Sequence, residues 1–447
     1  MGEGEGKADG MEENHKRRMG LEQEFLLVDE SGRPSNRADE LIFRCAEAAP
    51  SEGIEPDNFS KECSRGMVEV KTAPANTLEE LEREYMANVS FAIRAGRELG
   101  LRLYPLATYP LPFEPSFREE PRYELQIETI GRERFLDAGR CFGVHLHVEI
   151  EADAMDPVQV VSPNVSPAGV RELLGLYNLA TALDPALIAL TRSCPFYEGC
   201  ATGLAARTAF YRGSEEFGWD GVYSEMPELG SLQPYAEEAG DLRDRQLGGH
   251  QRWREAMDSA GVGSDSLHKM SDGIFDICWR PVRLSPHGTV ELRGLDSNHP
   301  DTILAVSALV QAAADRLKNE NLSIEPVEGL RRFEADEKHL FVPDFEGVGS
   351  ELFFAAAATE GTNAPMVAAY LDSIIEFAAP GGSASGYIKR LKNEDGSYRT
   401  TEAEILASHP PSEDSSIGEE EGLELVREAC DKLEERVAAS EPVTNPG

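Results

Sequence analysis

Gly20-Leu21-Glu22-Gln23-Glu24-Phe25-Leu26-Leu27-Val28-Asp29 is the stretch that decides the fold we expect for this chain of 447 residues. Its apolar half predicts a buried β-strand, in which side chains two positions apart point to the same face. Glu22 and Glu24 therefore project together. Two adjacent carboxylates repel each other where water is scarce, and a cation such as Mg²⁺ removes that cost. The stretch thus predicts one strand of a metal-binding sheet.

Four other segments place charged or imidazole side chains on predicted strands, or next to them, in the same way. They are Glu62 with Met67-Val68-Glu69-Val70, the strand 143–149 with His145, His147 and Glu149, the strand 289–293 with Glu291 and Arg293, and the arginine-rich stretch 280–283. An apolar side opposite a charged side is typical of an antiparallel sheet with one face on a core. We expect the other face to line a charged cavity.

Composition restricts the partners and the compartment. The net charge is −38, from 81 acidic and 43 basic residues, which disfavours nucleic acid and anionic membranes as partners. The sequence has no run of about eighteen apolar residues for a membrane span and no secretory signal near its start. Seven cysteines without a C-x-x-C pair favour reduced thiols in the cytoplasm. The acidity predicts a halophilic protein that salt stabilises by screening.

Helix signals separate these strands. Thr77 with Glu80 has the spacing of a capping box and opens a helix that Gly100 ends. A hairpin of two strands is expected within residues 274–295, and residues 191–265 are expected to be irregular. Further helices are predicted at residues 170–190, 301–318, 350–360, 364–379 and 421–438.

Taken in order, the motifs resemble those of glutamate–cysteine ligase family 2, within the glutamine synthetase-like carboxylate–amine ligases. The motifs that carry the resemblance are Gly20-Leu21-Glu22-Gln23-Glu24-Phe25, Met67-Val68-Glu69-Val70-Lys71-Thr72-Ala73-Pro74, Gly143-Val144-His145-Leu146-His147-Val148, Ala189-Leu190-Thr191-Arg192-Ser193-Cys194-Pro195-Phe196 with residues 203–207, and Gly288-Thr289-Val290-Glu291-Leu292-Arg293. The resemblance implies an α+β fold, with a curved antiparallel β-sheet funnel of the glutamine synthetase/guanido kinase type and helices packed outside.

The composition of the chain and the resemblance together predict a division of the chain. Residues 1–18 would be a disordered acidic tail, and 19–330 the ATP-dependent catalytic domain. Residues 331–408 would be a helical extension of that domain, and 409–447 an acidic linker with a C-terminal helix.

The resemblance further implies roles for individual residues. The metal ligands would be Glu22, Glu24, Glu62, Glu69, His145 and Glu291. Arg293, Arg283 and Arg280 would meet the phosphates of ATP, and Arg293, Arg283 and Arg207 would act in catalysis. Gln23 stands where many family members have an acidic residue, and strand alternation predicts that it points away from the cavity. His147 and Glu149 stay open as ligands or structural residues.

The activity implied by the resemblance is γ-glutamylcysteine synthesis for glutathione, from small-molecule substrates with ATP and Mg²⁺. ATP would phosphorylate the γ-carboxylate of glutamate, and the amine of cysteine would attack the acyl phosphate. Three alternatives stay open: another amine, a guanido-kinase-like phosphotransferase, and a non-catalytic binding protein. A zinc hydrolase is less well supported, because His145 and His147 are accompanied by no helical H-E-x-x-H motif.

Overall fold

The computed structural model describes residues 17–270, 273–277, 279–358 and 361–440. The strands in chain order are β1 Met19–Asp29, β2 Phe59–Lys61, β3 Met67–Lys71, β4 Leu101–Tyr104, β5 Gly143–Glu149, β6 Met155–Asp156, β7 Val160–Val161, β8 Phe196–Tyr197, β9 Cys200–Ala201, β10 Val282–Ser285, β11 Thr289–Asp296, β12 Ser323–Val327, β13 Glu334–Ala335 and β14 His339–Pro343. The α-helices are α1 Ala38–Ala48, α2 Leu78–Glu98, α3 Pro121–Ile130, α4 Arg132–Phe135, α5 Pro167–Thr191, α6 Pro227–Gly230, α7 Ala239–Ser259, α8 Pro300–Asn319, α9 Phe353–Ala358, α10 Pro365–Ala378, α11 Gly386–Lys389, α12 Thr401–Ser408 and α13 Glu419–Ala438.

The principal sheet is antiparallel throughout and has the strand order β10-β11-β5-β1-β3-β2, with β4 also paired to β1. Its central strand, β1, is long enough to pair with three neighbours. The first half of β1 pairs with β5, its middle with β3 and its last residues with β4. The expected α+β class with an antiparallel sheet is confirmed, whereas the funnel shape stays a prediction.

Alternation along β1 explains why both faces of the sheet are occupied. Phe25 and Leu27 join the core formed with helices α2, α5 and α8, whereas Leu26 and Val28 join a second core on the other side. A strand buried on both faces has a continuous apolar run in its sequence. Glu22 and Glu24 lie on the side of Leu26, so the charged cavity opens between the sheet and the second core.

Helix α5 is the central helix of the larger core. It is long and apolar enough to cross a membrane by length and composition alone, with a mean hydropathy of 1.5 in its most apolar window. In the structure 89% of that window is buried inside the protein. Its apolar character is therefore explained by packing against the sheet and helix α8.

Most predicted helices are confirmed with small changes in their ends. The hydroxyl of Thr77 accepts a hydrogen bond from the backbone N–H of Glu80 at 3.1 Å, and Gly100 follows helix α2 with a φ of 67°, which favours glycine. Helices α5, α8, α9, α10 and α13 occupy the other predicted ranges.

One prediction about secondary structure is wrong, and another is confirmed over a shorter range. The region 191–265 contains α7, a helix of 21 residues. Its buried positions are Leu242, Gln246, Gly249, Trp253 and Met257. Because a glutamine and a glycine stand among them, the apolar stripe that would identify the helix in the sequence is interrupted. The hairpin predicted within residues 274–295 is confirmed as β10 and β11, and residues 274–277 before it form a 3₁₀ turn.

The structure differs from the predicted division of the chain at two boundaries. Residues 1–16 of the predicted tail lie outside the described residues, but Arg17 is buried and donates to the carbonyl of Glu149 at 2.8 Å. The small sheet β12-β14-β13 crosses the predicted boundary at residue 330. The division into catalytic domain and extension stays a prediction.

Candidate active site

The register of the sheet brings the predicted ligands together. Residues directly opposite each other on antiparallel strands share a face. The opposed pairs on the cavity face are Glu22 with His145, Glu24 with Glu69, Glu291 with His147, and Glu291 with Arg283. The charged patch therefore runs without interruption from β10 to β3.

A cavity of about 280 Å³ opens on this patch. The predicted residues among those that line it are Glu22, Glu24, Glu62, Glu69, His145, Arg207, Arg283 and Arg293. Glu291 lies beneath them and is fully buried. Carboxylates and guanidinium groups from five separated segments of the chain thus meet in one place.

Glu291 is held between two arginines. Nε of Arg283 lies 2.7 Å from one carboxylate oxygen, and Nη1 of Arg293 lies 2.6 Å from the other. Burial alone would raise the pKa of Glu291, but the two guanidinium groups outweigh it and hold the pKa below its ordinary value. Charge-assisted bonds of this length are among the strong ones in proteins, so Glu291 is a fixed anion.

Glu22 lies between two imidazoles. Its Oε2 is 3.2 Å from Nδ1 of His145 and 3.5 Å from Nε2 of His147. Burial would raise the pKa of Glu22, but the two histidines hold it well below its usual range. Burial, together with Arg293, lowers the pKa of His145, which leaves that imidazole neutral and able to bind a cation at neutral pH.

The pKa values of Glu62 and Glu69 are shifted upward, opposite to those of Glu22 and Glu291. Burial and then the charge of Glu24 raise the pKa of Glu62 to about 7. Burial and then Glu22 and Glu62 raise the pKa of Glu69 well above its ordinary value, although it accepts a hydrogen bond from Ser60 at 2.8 Å. Two carboxylates that cannot both ionise easily create a demand for positive charge.

The donor set fits a divalent cation. Three groups have ligand atoms within 4.8 Å of one another: Glu22, Glu69 and His145; Glu22, His147 and Glu291; and Glu24, Glu62 and Glu69. Carboxylate oxygens predominate, as suits Mg²⁺. The buried Nε2 of His147 makes no hydrogen bond of ordinary geometry among the described residues and faces the carboxylates of Glu22 and Glu291 at 3.5 and 3.9 Å. His147, left open by the sequence, therefore belongs with the ligand candidates.

Arg207 is the most enclosed cation of the site. Nη1 lies 3.4 Å from Glu24 and Nη2 lies 3.4 Å from Nε2 of His145. Its guanidinium stacks on the ring of Tyr211, 4.2 Å from the centroid, a cation–π contact. The backbone N–H of Arg207 is held by Asp296 at 2.9 Å, so both its backbone and its side chain are fixed.

Comparison with known proteins decides the family. The sequence profile of glutamate-cysteine ligase family 2 matches residues 18–348. The chain belongs to this family. It is therefore a ligase of the carboxylate–amine type, which forms a C–N bond.

Two relatives and one solved structure illustrate the similarity. A glutamate–cysteine ligase of Natronomonas pharaonis is 27% identical over 306 residues, covering 67% of this chain and 69% of the relative. One from Haloferax volcanii is 24% identical over 378 residues, covering 79% and 89%. A bifunctional glutathione synthetase from Pasteurella multocida has a similar fold, with a TM-score of 0.54 and 14% identity. The match covers 95% of this chain but only 54% of that enzyme, so this likeness shows the fold alone.

The structure places Arg280 away from the cavity, although the sequence predicted that it would meet the phosphates of ATP. Its buried guanidinium donates to the carbonyl oxygens of Glu228 at 2.9 Å and Arg245 at 3.0 Å. Among the described residues, it is not part of the cavity lining. Arg280 and Arg283 are three positions apart, and β10 begins only at Val282, so the two side chains do not share a face. We assign Arg280 a structural role.

Gln23 and Glu149 also have structural surroundings. Gln23 points away from the cavity, as predicted, and donates to Ser297 at 3.0 Å and to the carbonyl of Asn298 at 2.8 Å. Glu149, at the end of β5, pairs with Arg18 at 3.0 Å. It is a surface ion pair beside the site.

Sequence reasoning missed part of the cavity lining. The additional residues include the cations Lys61, Lys71 and Arg122 and the aromatic residues Tyr211, Tyr223 and Trp279. Lys71 continues the alternation that begins at Glu69 and could have been found. Tyr211 and Tyr223 lie in the region predicted to be irregular, where no periodic pattern marks them, and Trp279 lies before β10 at the start of the range predicted for the hairpin.

Proposed function

We propose that this ligase joins the γ-carboxylate of glutamate to the amine of cysteine, with ATP as phosphoryl donor, a γ-glutamyl phosphate intermediate and Mg²⁺ in the cavity. The observation that supports this most directly is the meeting of three potential metal-ligand groups and the arginines Arg207, Arg283 and Arg293 on one sheet face. The substrates themselves are carried over from the names of the relatives.

The chemistry requires this mixture of charges. A carboxylate does not react with an amine in water, because its negative charge makes the carbonyl carbon a poor electrophile and it has no good leaving group. Transfer of the γ-phosphoryl group to a carboxylate oxygen releases ADP and makes an acyl phosphate. Attack of the amine nitrogen on the carbonyl carbon forms the amide, with loss of one proton and release of phosphate. When bound, Mg²⁺ neutralises phosphate charge.

The side chains of this protein then bind and orient the reactants. Glu22, Glu24, Glu62, Glu69, His145 and Glu291 are the proposed ligands, joined by His147. Arg283 and Arg293 are proposed to face the ATP phosphates, and Arg207 the glutamate or the transferred phosphoryl group. Arg207 and Arg293 each retain a buried Nε without a hydrogen-bond partner in the described part of the chain. Bound anions would relieve the cost of such unpaired donors.

The rim of the cavity suits amino acid substrates. Lys61, Lys71 and Arg122 add positive charge near the acidic cluster, and every substrate in the proposed reaction carries a carboxylate or a phosphate. Positioning and electrostatic stabilisation supply most of the catalysis in phosphoryl transfer. The described cysteines are free thiols, which agrees with the proposed cytoplasmic location.

The test is ADP release by the purified chain in molar KCl with Mg²⁺, ATP and glutamate, each amino acid being offered singly. We expect cysteine to stimulate release and a γ-glutamylcysteine mass to appear. Glu22→Gln should lower the rate roughly 100-fold, whereas the matched change Glu149→Gln should not. Stimulation by a different amine would change the substrate, and stimulation by a guanidino compound without amide formation would refute the ligase. Background release with intact ATP binding would indicate a non-catalytic protein.

A further inference from the structure

Arg212 lies behind the two innermost arginines of the site. It is buried and, among the described residues, does not line the cavity. Its Nη1 donates to the backbone carbonyl of Arg207, and its Nη2 lies 3.3 Å from the carbonyl of Arg293. A third carbonyl, that of Trp279, is 3.5 Å from Nη2. One rigid guanidinium thus contacts the backbone of three segments that contribute to the cavity wall.

A β-bulge in β11 explains how these segments come together. Leu292 is opposite Leu146, but Leu295 is opposite Val144, so Arg293 and Gly294 together face His145. An extra residue changes which face the following side chains occupy. As a result Asp296 lies on the cavity face, where it accepts from the N–H groups of Ala206 and Arg207 at 3.1 and 2.9 Å. The bulge therefore places Arg293 and the residue that holds Arg207 on one face.

Asp184 lies directly against the bulge. A Cβ atom on Gly294 would be only 2.4 Å from Oδ1 of Asp184, so the extra residue of the bulge must be glycine. Asp184 is fully buried on α5, and neither carboxylate oxygen has a hydrogen-bond partner in the described part of the chain. Burial raises its pKa to about 7, an effect that Arg212 opposes. A buried carboxylate with no hydrogen bond is expensive, and the proposed reaction makes no use of it.

The two innermost arginines each have an acidic neighbour. Arg207 lies beside Glu24 and Arg293 beside Glu291. For Arg212, burial and then Arg207 lower the pKa to about 10, and Asp184 is the first group that opposes them. Arg212 thus stays protonated at neutral pH, with Asp184 as the acidic group acting on it. Arg207 and Arg293 are thus each paired with a carboxylate, whereas Arg212 is held by its contacts with backbone carbonyls.

We propose that Arg212 and Asp184 form a positioning pair, in which Arg212 fixes the backbones of Arg207 and Arg293 relative to each other and Asp184 holds in place the bulge that follows Arg293. The consequence for turnover rests on the proposed function, because it assumes that Arg207 and Arg293 contact the reacting groups. A shift of about 1 Å in such groups can reduce a rate about 100-fold.

The kinetic test compares Arg212→Lys and Asp184→Asn with the control Arg192→Lys. Arg192 is also buried, donates to the carbonyls of Gly203 and Ala356, and pairs with Glu402 at 2.7 Å. Lysine keeps the charge but loses the fork that reaches several carbonyls. We expect Arg212→Lys to lower kcat roughly 10- to 100-fold with smaller changes in KM, and Asp184→Asn to lower it less. Arg192→Lys should lower Tm comparably and leave kcat unchanged.

Two kinetic outcomes would overturn the proposal. One is an unchanged kcat in Arg212→Lys. The other is an equal loss of kcat in Arg192→Lys, which would show a general effect of weakening the fold. An unchanged kcat in Asp184→Asn would remove Asp184 from the pair.

Crystal structures of Arg212→Lys and Asp184→Asn provide a test that is independent of the reaction. We expect the guanidinium groups of Arg207 and Arg293 to move apart or rotate by about 1 Å, and positions retained within about 0.5 Å would refute the pair. If Arg212→Lys does not fold, Asp184→Asn carries this measurement. If the unmodified chain makes no γ-glutamylcysteine, the proposed function fails, whereas displaced arginines would still support the positioning pair.

Discussion

Gly143 and Arg207 are in such close contact that no other residue fits at position 143 without moving the arginine. A Cβ atom on Gly143 would lie 2.7 Å from Nε and 3.0 Å from Cζ of Arg207. The backbone N–H of Gly143 also donates to Glu24 at 2.6 Å, which is itself 3.4 Å from Arg207. The first residue of β5 therefore sets the position of the guanidinium within the site.

Gly143→Ala should consequently damage catalysis more than stability. The added methyl group must displace the guanidinium, and we expect kcat to fall roughly 10- to 100-fold, with a loss in unfolding free energy of about 1–3 kcal/mol. The matched control is Gly20→Ala on the neighbouring strand, whose new Cβ would meet nothing closer than Cβ of His147 at 3.7 Å. ADP release and urea unfolding of both variants give the comparison. Equal kcat values for the two would contradict the proposed role of Arg207.

Glu291→Gln should destabilise the protein strongly. The change removes the anion between Arg283 and Arg293 and leaves one buried and one partly buried guanidinium group without their carboxylate, at a cost of about 3–5 kcal/mol. Glu149→Gln removes a carboxylate from the ion pair with the half-exposed Arg18, where we expect less than about 1 kcal/mol. Urea unfolding in the absence of divalent cations measures both. A loss for Glu291→Gln no larger than that for Glu149→Gln would show that Glu291 is not the anchor of the arginine pair.

Alternation on three strands made much of the site predictable. Glu22 and Glu24 on β1, His145 and His147 on β5, and Glu291 on β11 follow a period of two, and antiparallel pairing then brings them to one face. The helix N-cap at Thr77 was readable for the same reason, since the N–H of Glu80 that it accepts from is only three residues away. Local patterns of this kind are contained in the sequence itself.

The features that were not predictable depend on contacts between distant segments. Arg280 lies in an arginine-rich stretch of the kind that binds phosphates, yet its guanidinium donates hydrogen bonds to two backbone carbonyls. The bulge at Gly294 shifts the alternation of β11 by one residue, and Asp184, which lies against it, is 110 positions away on α5. Neither feature has a periodic signal, because each exists only after the helices have packed on the sheet.

The stability of the metal-free protein should depend on pH through Glu62. Its pKa is about 7 in the folded state and about 4.5 as the ordinary value, so between these values the folded protein keeps a proton that the unfolded chain has lost. Stability therefore falls as the pH rises through this interval. Glu69 contributes in the same direction. Glu22 and Glu291, whose pKa values are lowered, contribute stability that is present above about 4.5 and is lost in acid.

Glu62→Gln isolates this effect. Without divalent cations the variant should be more stable than the unmodified chain at pH 8 by about 3 kcal/mol, and most of this advantage should be lost at pH 5. With saturating Mg²⁺ the order at pH 8 should reverse, because the variant lacks a proposed ligand. Thermal melts at both pH values, with and without Mg²⁺, test this. If the variant is never more stable than the unmodified chain, the raised pKa of Glu62 is contradicted. If the variant remains the more stable of the two at pH 8 with Mg²⁺, Glu62 is not a metal ligand.

The acidic surface predicts stabilisation by salt. With a net charge of −38, the folded chain repels itself more than the expanded chain does, and ions weaken this repulsion. Because the screening length falls from about 10 Å at 0.1 M salt to about 3 Å at 1 M, most of a screening effect on Tm should be complete well below molar KCl. Choline chloride at equal ionic strength should then act as well as KCl. A Tm that does not rise at all would exclude self-repulsion as a significant term, whereas a rise that continues in molar KCl but not in choline chloride would indicate specific binding of potassium ions to the carboxylates.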